Sequence, residues 1–232
     1  MKTALITGAN RGIGLEMTQQ LVRDGNRVFA TCRLPDEATA LKELAQQHSE
    51  WVTIVQLDVI NDMSVQSAAK QVAEQTDQLD LVINNAGINF RDTFAEFNSD
   101  EYLLCLNVNG VGALRVVHEF VGLLRRGTAP KIVNISSQLG SMTAQRPGFG
   151  SSGYNASKAV MNMITRQLSF DFAAEGIVVI SMHPGWVQTD MGGANAAVTP
   201  HDSAAGILKV AAGLTADDNG KFYIYNGEIH PW

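Results

Sequence analysis

The chain has 232 residues, of which 45% are hydrophobic and 17% charged, and it carries a net charge of −6. That length supports one sizeable core rather than two comfortable domains, and the composition excludes a disordered chain. The charge signs are mixed and no basic block is present, so neither a nucleic acid nor a membrane surface is an expected partner, and no apolar run approaches the roughly 20 residues of a membrane span.

Residues 1–7 run straight into Gly8, too short and wrongly flanked for a signal peptide. Two cysteines, Cys32 and Cys105, offer neither a disulfide framework nor metal spacing, so a reducing, cytoplasmic compartment is expected. Residues 3–7 form a short apolar run, the pattern of a buried strand. Thr7-Gly8-Ala9-Asn10-Arg11-Gly12-Ile13-Gly14 follows, and Leu15, Leu21 and Val22 then recur at helical spacing up to Gly25, which predicts a helix over 12–24. Strand, glycine turn and helix form the setting in which backbone N–H groups and a helix dipole receive a pyrophosphate. Gly8, Gly12 and Gly14, with Asn10, Arg11 and Ile13 between them, are the candidate cradle.

Residues 27–31 read as a second strand, and Pro35 suits the first turn of the helix after it. The end of such a strand is where a carboxylate grips the ribose 2′-hydroxyl of NAD. Here it carries Cys32-Arg33. An arginine pairs instead with a 2′-phosphate through two charge-assisted bonds, and Arg11 can reach the same group, so NADP(H) is expected over NAD(H). Cys32 reads as a small apolar filler, with redox sensitivity as the other reading.

Residues 51–57 give a third strand ending at Asp58-Val59. Asp58 either accepts from an adenine amino group or caps the next helix, where Asn61 and Asp62 also stand. Residues 79–83 give a fourth strand ending Asn84-Asn85-Ala86-Gly87, whose small residues permit close approach of a ligand. Asn98 with Glu101 three positions on marks a helix start, and one continuous helix is expected as far as Arg125-Arg126 and Gly127. Asn107 and Asn109 interrupt its apolar face. Buried amides need partners, so one of the two is expected to hold a water or a backbone group.

A fifth strand over 131–135 ends Ser136-Ser137, of which at most one faces a site at the strand end. Residues 140–150 form a loop expected to be mobile. A helix capped by Ser151 or Ser152 and ended by Gly176 carries Tyr154 and Lys158 four apart, hence on one face. A phenol titrates near pH 10 and alone is a poor base. An ammonium nearby favours the phenolate and lowers that value, which makes the pair an acid/base suited to a carbonyl or alcohol oxygen. A sixth strand over 177–182 turns at His183-Pro184-Gly185. Residues 186–199 are rich in breaks and have no period, the pattern of a lid. A last helix over 200–212 and a seventh strand over 221–225 precede a tail ending Pro231-Trp232.

Strands alternating with helices imply right-handed crossovers, and therefore a single α/β domain over 1–232: three layers, with a central, mostly parallel sheet of about seven strands. In a doubly wound order the strand ends meet at one edge. That gathers the glycine turn, Arg33, Asp58, Asn85, Ser137, Tyr154 and Pro184 into one crevice.

Taken together and in this order, Thr7-Gly8-x-x-x-Gly12-x-Gly14, Asn84-Asn85-Ala86-Gly87, Ser137, Tyr154-x-x-x-Lys158 and Pro184-Gly185-x-Val187-x-Thr189 resemble the motifs of the single-domain short-chain dehydrogenase/reductases over essentially the whole chain. Residues 186–197 and 220–232 resemble more narrowly the C-factor and Sniffer-type carbonyl reductases. The resemblance implies a Rossmann fold that moves a hydride between NADP(H) and a small-molecule carbonyl or alcohol. It implies Tyr154 as the acid/base, Lys158 lowering its pKa and bonding the nicotinamide ribose, Ser137 rather than Ser136 holding the substrate oxygen, and Asn107 rather than Asn109 anchoring a water in a proton relay. Asp58, Val59, Asn85, Ala86, Gly87, Pro184, Gly185, Val187 and Thr189 would join the glycine turn and Arg33 around the cofactor. The segment from Ser137 to Tyr154 is longer than in most members, and the extra residues fall within 140–150, at the substrate mouth.

The resemblance also implies a homodimer, with a tetramer open, paired through the helices from Asn98 and Ser152. Val116, Val117, Met161, Met163 and Leu168 supply the apolar outer positions expected there. No metal is indicated, since His48, His118, His183, His201 and His230 are scattered. Trp186, Met191 and Val198 in the lid suggest an apolar or aromatic carbonyl. The alternative function is an NADP(H)-binding sensor or signalling protein with little or no turnover. The intact Tyr154, Lys158 and Ser137 set argues for the enzyme, because a sensor has no use for a phenol beside an ammonium.

Overall fold

Each apolar run marked in the sequence is a strand: Thr3–Ile6 (β1), Arg27–Cys32 (β2), Val52–Gln56 (β3), Leu81–Asn84 (β4), Lys131–Ile135 (β5), Val178–His183 (β6) and Phe222–Ile224 (β7). They form one sheet in the order β3-β2-β1-β4-β5-β6-β7, and every neighbouring pair is parallel. The computed structural model describes residues 2–91, 93–144 and 151–232. Positions 145–150 of the loop over 140–150 therefore lie outside the described residues.

The sheet is covered on both faces, which is why its strands read as continuous apolar runs rather than as alternating ones. Successive residues of β1 show the division. Ala4 and Ile6 enter a core with Met17, Leu21, Leu41 and Ile207, while Leu5 enters the opposite core with Val65, Phe120, Ile164 and Val179. The first core is roofed by helices Gly12–Arg23 (α1), Thr39–Gln47 (α2) and Pro200–Gly213 (α7). The second is roofed by Asp62–Ala73 (α3), Gly112–Leu124 (α5), which follows Ser99–Leu106 (α4), and Ser152–Asp171 (α6).

Local chemistry sets the boundaries. Asn61 caps α3 by accepting from Ser64 N, Asn98 caps α4 by accepting from Asp100 N and Glu101 N, and Thr199 caps α7 with Pro200 in its first turn. Gly25 closes α1 at a φ of 74°. Three expectations are corrected. Pro35 opens a separate 3₁₀ turn, Pro35–Glu37, and α2 begins only at Thr39. The helix of Tyr154 ends at Asp171, and a 3₁₀ turn, Ala173–Glu175, carries the chain to Gly176.

The third concerns the helix expected to run unbroken from Asn98. It is α4 and α5 joined by a π-helical turn, Asn107–Val111. Close packing accounts for the small residues there. A Cβ on Gly110 would stand 2.8 Å from Val160 of α6, and one on Gly112 would stand 2.9 Å from Val59. A π turn widens the helix by one residue and re-aims side chains, a device frequent at functional sites.

The apolar outer face is also reassigned. Val116, Val117, Met161 and Leu168 belong to the core, and only Met163 of the expected five is exposed. The exposed apolar positions of these helices and of the turn between them are Leu103, Leu104, Val111, Leu114, Met163 and Phe170.

Candidate active site

β1 and β4 are neighbours, yet the chain leaves β1 for α1 on one face and leaves β4 toward α4 and α5 on the other. A crevice opens at such a switch point, outside the carboxyl ends of the strands. Thr7 and Asn85 lock its two lips together. Thr7 Oγ1 accepts from Asn85 N at 2.9 Å and Ala86 N at 3.0 Å, and Asn85 Nδ2 donates to the Thr7 and Gly8 carbonyls at 2.9 and 3.1 Å. Gly8 and Gly12 hold φ values of 65° and 55°, which an L side chain rarely adopts. A Cβ on Gly14 would overlap the Gly8 carbonyl oxygen and come 2.6 Å from Asn85 Nδ2. The turn is thus a cradle of backbone at the amino end of α1, whose first turn carries no acidic residue. This fits a pyrophosphate. Asn10 lies half-buried in the turn, and Ile13 packs back onto the core.

Beyond β2 a cavity of about 650 Å³ is walled by Arg33, Leu34, Gln56, Asp58, Asn61 and Ser64, among others. The cap of α3 belongs to Asn61, so of the two readings of Asp58 the wall position remains, with its Oδ1 accepting from Ile60 N at 3.2 Å. Val59 is buried behind it, against Gly112. With Arg33 where a 2′-hydroxyl binder would place a carboxylate, the cavity fits an adenosine bearing a 2′-phosphate. Arg11 does not line it. Its Nη1 pairs instead with Asp190 Oδ2 of the lid at 2.7 Å, and both side chains are exposed. Burial raises the Cys32 thiol pKa, and the residue packs in the core, as the filler reading requires.

At the end of β5 the two serines part. Ser136 Oγ donates to Asn162 Oδ1 at 2.6 Å, away from the crevice. Ser137 accepts from Leu139 N and shares a hydrogen bond with the Tyr154 hydroxyl. Lys158 Nζ donates to the Ile135 carbonyl at 2.7 Å and stands 5.5 Å from the centroid of the Tyr154 ring. Ser137, Tyr154 and Lys158 therefore meet as expected, but their proton affinities differ from expectation. Burial pushes the phenol of Tyr154 up to about 12, against a smaller lowering by the Ser137 hydrogen bond, and the nearby Cys105 adds to the rise. Burial also brings Lys158 down to about 8. Desolvation penalises the charged form of both groups, and the ammonium lies over the ring. The expected lowering of the phenol by Lys158 is not present in the protein alone.

The asparagine is corrected as well. Asn107 faces away from this cluster, its Oδ1 accepting from Arg115 Nη1 at 2.7 Å. Asn109, fully buried, is the one of the two that holds a backbone group. Its Oδ1 accepts from Ile88 N and its Nδ2 donates to the Ile88 carbonyl and to Ser157 Oγ, each at 2.8 Å. Ser157 Oγ in turn donates to the Tyr154 carbonyl at 2.7 Å. A Cβ on Gly87 would lie 3.2 Å from Asn109 Oδ1 and 3.7 Å from Lys158 Nζ, so these groups converge on one point. Ser157 was missed in the sequence, Thr7 was read only as part of the glycine motif, and Asn109 was weighed beside Asn107 and passed over for the relay role. A signal for Asn109 was present: it falls at helical spacing with the buried Cys105, Ala113, Val116 and Phe120.

The segment over 186–199, expected as a lid, passes beside the glycine turn. Gln188 N donates to the Val198 carbonyl, Val198 N to the Trp186 carbonyl and Trp186 Nε1 to the Gly192 carbonyl, so the segment is tied by its own bonds. Val187 is buried and bridges Val198. Thr189 Cγ2 lies 3.2 Å from where a Gly12 Cβ would stand. The Pro184 carbonyl accepts from Ser203 Oγ at 2.7 Å, and Gly185, at a φ of 88°, lets the chain pass Tyr225 and Val198. Ala86 packs against Gly8, so the lid, the glycine turn and the end of β4 enclose one crevice.

Comparison with known proteins agrees with this geometry. Residues 2–198 match the family model described as short chain dehydrogenase. The fold superposes on an NADPH-bound carbonyl reductase from chicken fatty liver with a TM-score of 0.95 and 35% identity, covering 100% of this chain and 99% of that one. It superposes on the carbonyl reductase Sniffer of D. melanogaster with a TM-score of 0.94 and 31% identity, covering 100% of both chains. In sequence it is 37% identical over 158 residues to the C-signal protein of Myxococcus xanthus, covering 68% of this chain and 95% of that one.

Proposed function

The chain belongs to the short-chain dehydrogenase family, and from that premise we propose that it is an NADP(H)-dependent carbonyl reductase acting on apolar or aromatic carbonyls, with Tyr154 as its proton donor. It is an oxidoreductase by family, and NADP(H) is its cofactor: Arg33 replaces the carboxylate that NAD would need, and the chicken carbonyl reductase carries NADPH. Bound NADPH supplies the hydride.

The rest falls to the side chains. Tyr154, a phenol that burial keeps protonated at neutral pH, gives its proton to the substrate oxygen as charge develops there, and Ser137, already bonded to Tyr154, holds that oxygen. Lys158, charged below about pH 8, stands ready to return a proton toward Tyr154 or to bond a ribose hydroxyl. Asn109 fixes the π turn against Ile88 and, through Ser157, the backbone of Tyr154. The lid over 186–199, with Trp186 and Met191 exposed on it, excludes water from the transfer.

The observation that carries this reading is the meeting of Ser137, Tyr154 and Lys158 at the strand ends, with the Lys158 ammonium over the Tyr154 ring and Ser137 acting on its phenol. A sensor without turnover has no need of that constellation. The test is loss of NADPH absorbance with a panel of aldehydes, ketones and quinones, wild type against Tyr154→Phe. Turnover in the wild type alone is expected, and tight NADPH binding with no turnover on any of them favours the sensor.

A homodimer paired through α4, α5 and α6 is part of the same proposal. Leu103, Leu104, Val111, Leu114, Met163 and Phe170 are exposed on these elements, and exposed apolar side chains gathered on one face call for a partner. Sedimentation at micromolar concentration should give the dimer, or a tetramer built from it, and monomer alone rejects it. A cytoplasmic setting is proposed too, since neither Cys32 nor Cys105 is in a disulfide.

A further inference from the structure

The loop that leaves β5 carries Ser137 and leads to Tyr154, and two contacts pin it. Asn162 Nδ2 donates to the Gly140 carbonyl at 3.1 Å, where Gly140 lies against the Lys158 backbone. Three residues on, both the N–H and the hydroxyl of Thr143 donate to the backbone oxygen of Trp232, at 3.1 and 2.7 Å. The second pin comes from the far end of the chain, 89 residues away.

Trp232 is itself firmly seated. Its ring stacks on Phe222 of β7, with centroids 5.3 Å apart and planes 30° apart, and the Arg166 guanidinium of α6 stands 5.8 Å from it. His230 N donates to the Phe222 carbonyl at 2.7 Å, and its ring lies 4.9 Å from that of Phe222. The tail and β7 thus form one post. It stands at the β7 end of the sheet, on the far side of β5 and β6 from the cavity of Arg33 and Asp58. Between the two pins Met142 projects, 75% exposed.

We infer that Thr143 and Trp232 are a specificity clamp: positioning residues that fix one wall of the substrate mouth and so decide which carbonyls bind, without taking part in the proton or hydride transfer. The inference rests on the reading of the chain as a carbonyl reductase. Two donors on one oxygen fix both the position and the direction of the loop at Thr143. On that reading the reacting oxygen sits at Ser137, six positions before Thr143 in the chain, and at Tyr154, on the helix that the loop leads to. If this loop walls the mouth, a carbonyl of three carbons ends short of Met142 and the tail, whereas a bulky aromatic carbonyl presses on them. Loosening the clamp should therefore be felt in the binding of the large substrate alone.

The experiment uses NADPH with propanal and with a naphthaldehyde, on the wild type, Thr143→Val and Thr143→Ser. Valine keeps the shape and the backbone N–H but loses the hydroxyl donor. In Thr143→Val the KM for the naphthaldehyde should rise about three- to tenfold, the worth of one hydrogen bond. The kcat values, and the KM for propanal and for NADPH, should stay within about twofold, and Thr143→Ser should restore the wild-type KM. An unchanged naphthaldehyde KM in Thr143→Val overturns the clamp. So does an equal loss with both aldehydes accompanied by a lowered Tm, the signature of a merely structural tie. A wild type inactive on both aldehydes and on the wider panel of ketones and quinones rejects the reductase reading itself, and the clamp with it.

Discussion

Asn109 holds Ile88 by both of its backbone groups, accepting from its N–H and donating to its carbonyl at 2.8 Å each. The strand end at β4 and the π turn between α4 and α5 are thereby fixed to each other beside Lys158. Asn109→Ala takes the partner from the half-buried N–H and carbonyl of Ile88 and from the buried Ser157 hydroxyl, and each such loss costs about 1–3 kcal/mol. Urea unfolding should show a loss of about 3 kcal/mol, and kcat should fall roughly a hundredfold through misplacement of Tyr154. Asn107→Ala, which loses only a half-buried contact to Arg115, should cost less than about 1 kcal/mol.

Tyr154→Phe keeps the ring and deletes the proton donor. The kcat with any carbonyl substrate should drop by a factor of roughly 10²–10⁴. NADPH affinity, measured by fluorescence titration, should be little changed. Equal losses in both would assign the hydroxyl to cofactor binding instead of proton transfer.

The Lys158 ammonium is raised in energy by burial, its pKa falling from 10.5 in the unfolded chain to about 8. Between these values the unfolded chain binds more protons than the folded one, so folding stability rises with pH across that window. Below about pH 8 the cost is fully present. Lys158→Met has no such group in either state. From pH 7 to pH 10.5, the wild type should therefore gain on this variant by up to about 3 kcal/mol. Chemical denaturation of both proteins at the two pH values measures that gain, and a constant difference would place the ammonium in a solvated site.

Arg33→Ala should leave catalytic efficiency with NADH nearly unchanged and lower it with NADPH. Each charge-assisted bond is worth about 1.5–3 kcal/mol, so the preference should shrink by roughly ten- to a hundredfold. Arg11→Ala should shift it less, because Arg11 is engaged with Asp190 across the lid. A larger effect from Arg11 than from Arg33 would reverse the assignment.

Gly14→Ala places a methyl group against the Gly8 carbonyl oxygen and Asn85 Nδ2, neither of which can retreat without breaking the brace between β1 and β4. Overpacking of this kind costs about 1–3 kcal/mol, and NADPH affinity should fall along with the Tm. Gly25→Ala is a control. It meets nothing within 4 Å and suffers only the strain of its φ of 74°, so its Tm should fall without loss of NADPH affinity.

The sequence by itself determined what depends on near neighbours along the chain. Seven apolar runs became seven strands, Asn61, Asn98 and Thr199 became caps, and the glycine spacing gave the cradle. Tyr154 and Lys158, four apart on a helix, share a face without help from the rest of the fold. The resemblance of motifs points to Asn107, yet that side chain pairs with Arg115, and it is Asn109, at helical spacing with the buried stripe of α5, that holds Ile88.

Only the tertiary structure decided the rest. The phenol of Tyr154 is raised rather than lowered because burial outweighs the lowering by Ser137, and burial is a property of the whole packed chain. Arg11 meets Asp190 and Thr143 meets Trp232 across 179 and 89 residues. No periodicity encodes such pairs: they exist because the parallel crossovers bring distant loops to one edge of the sheet, where each side chain takes the partner that desolvation and geometry leave to it.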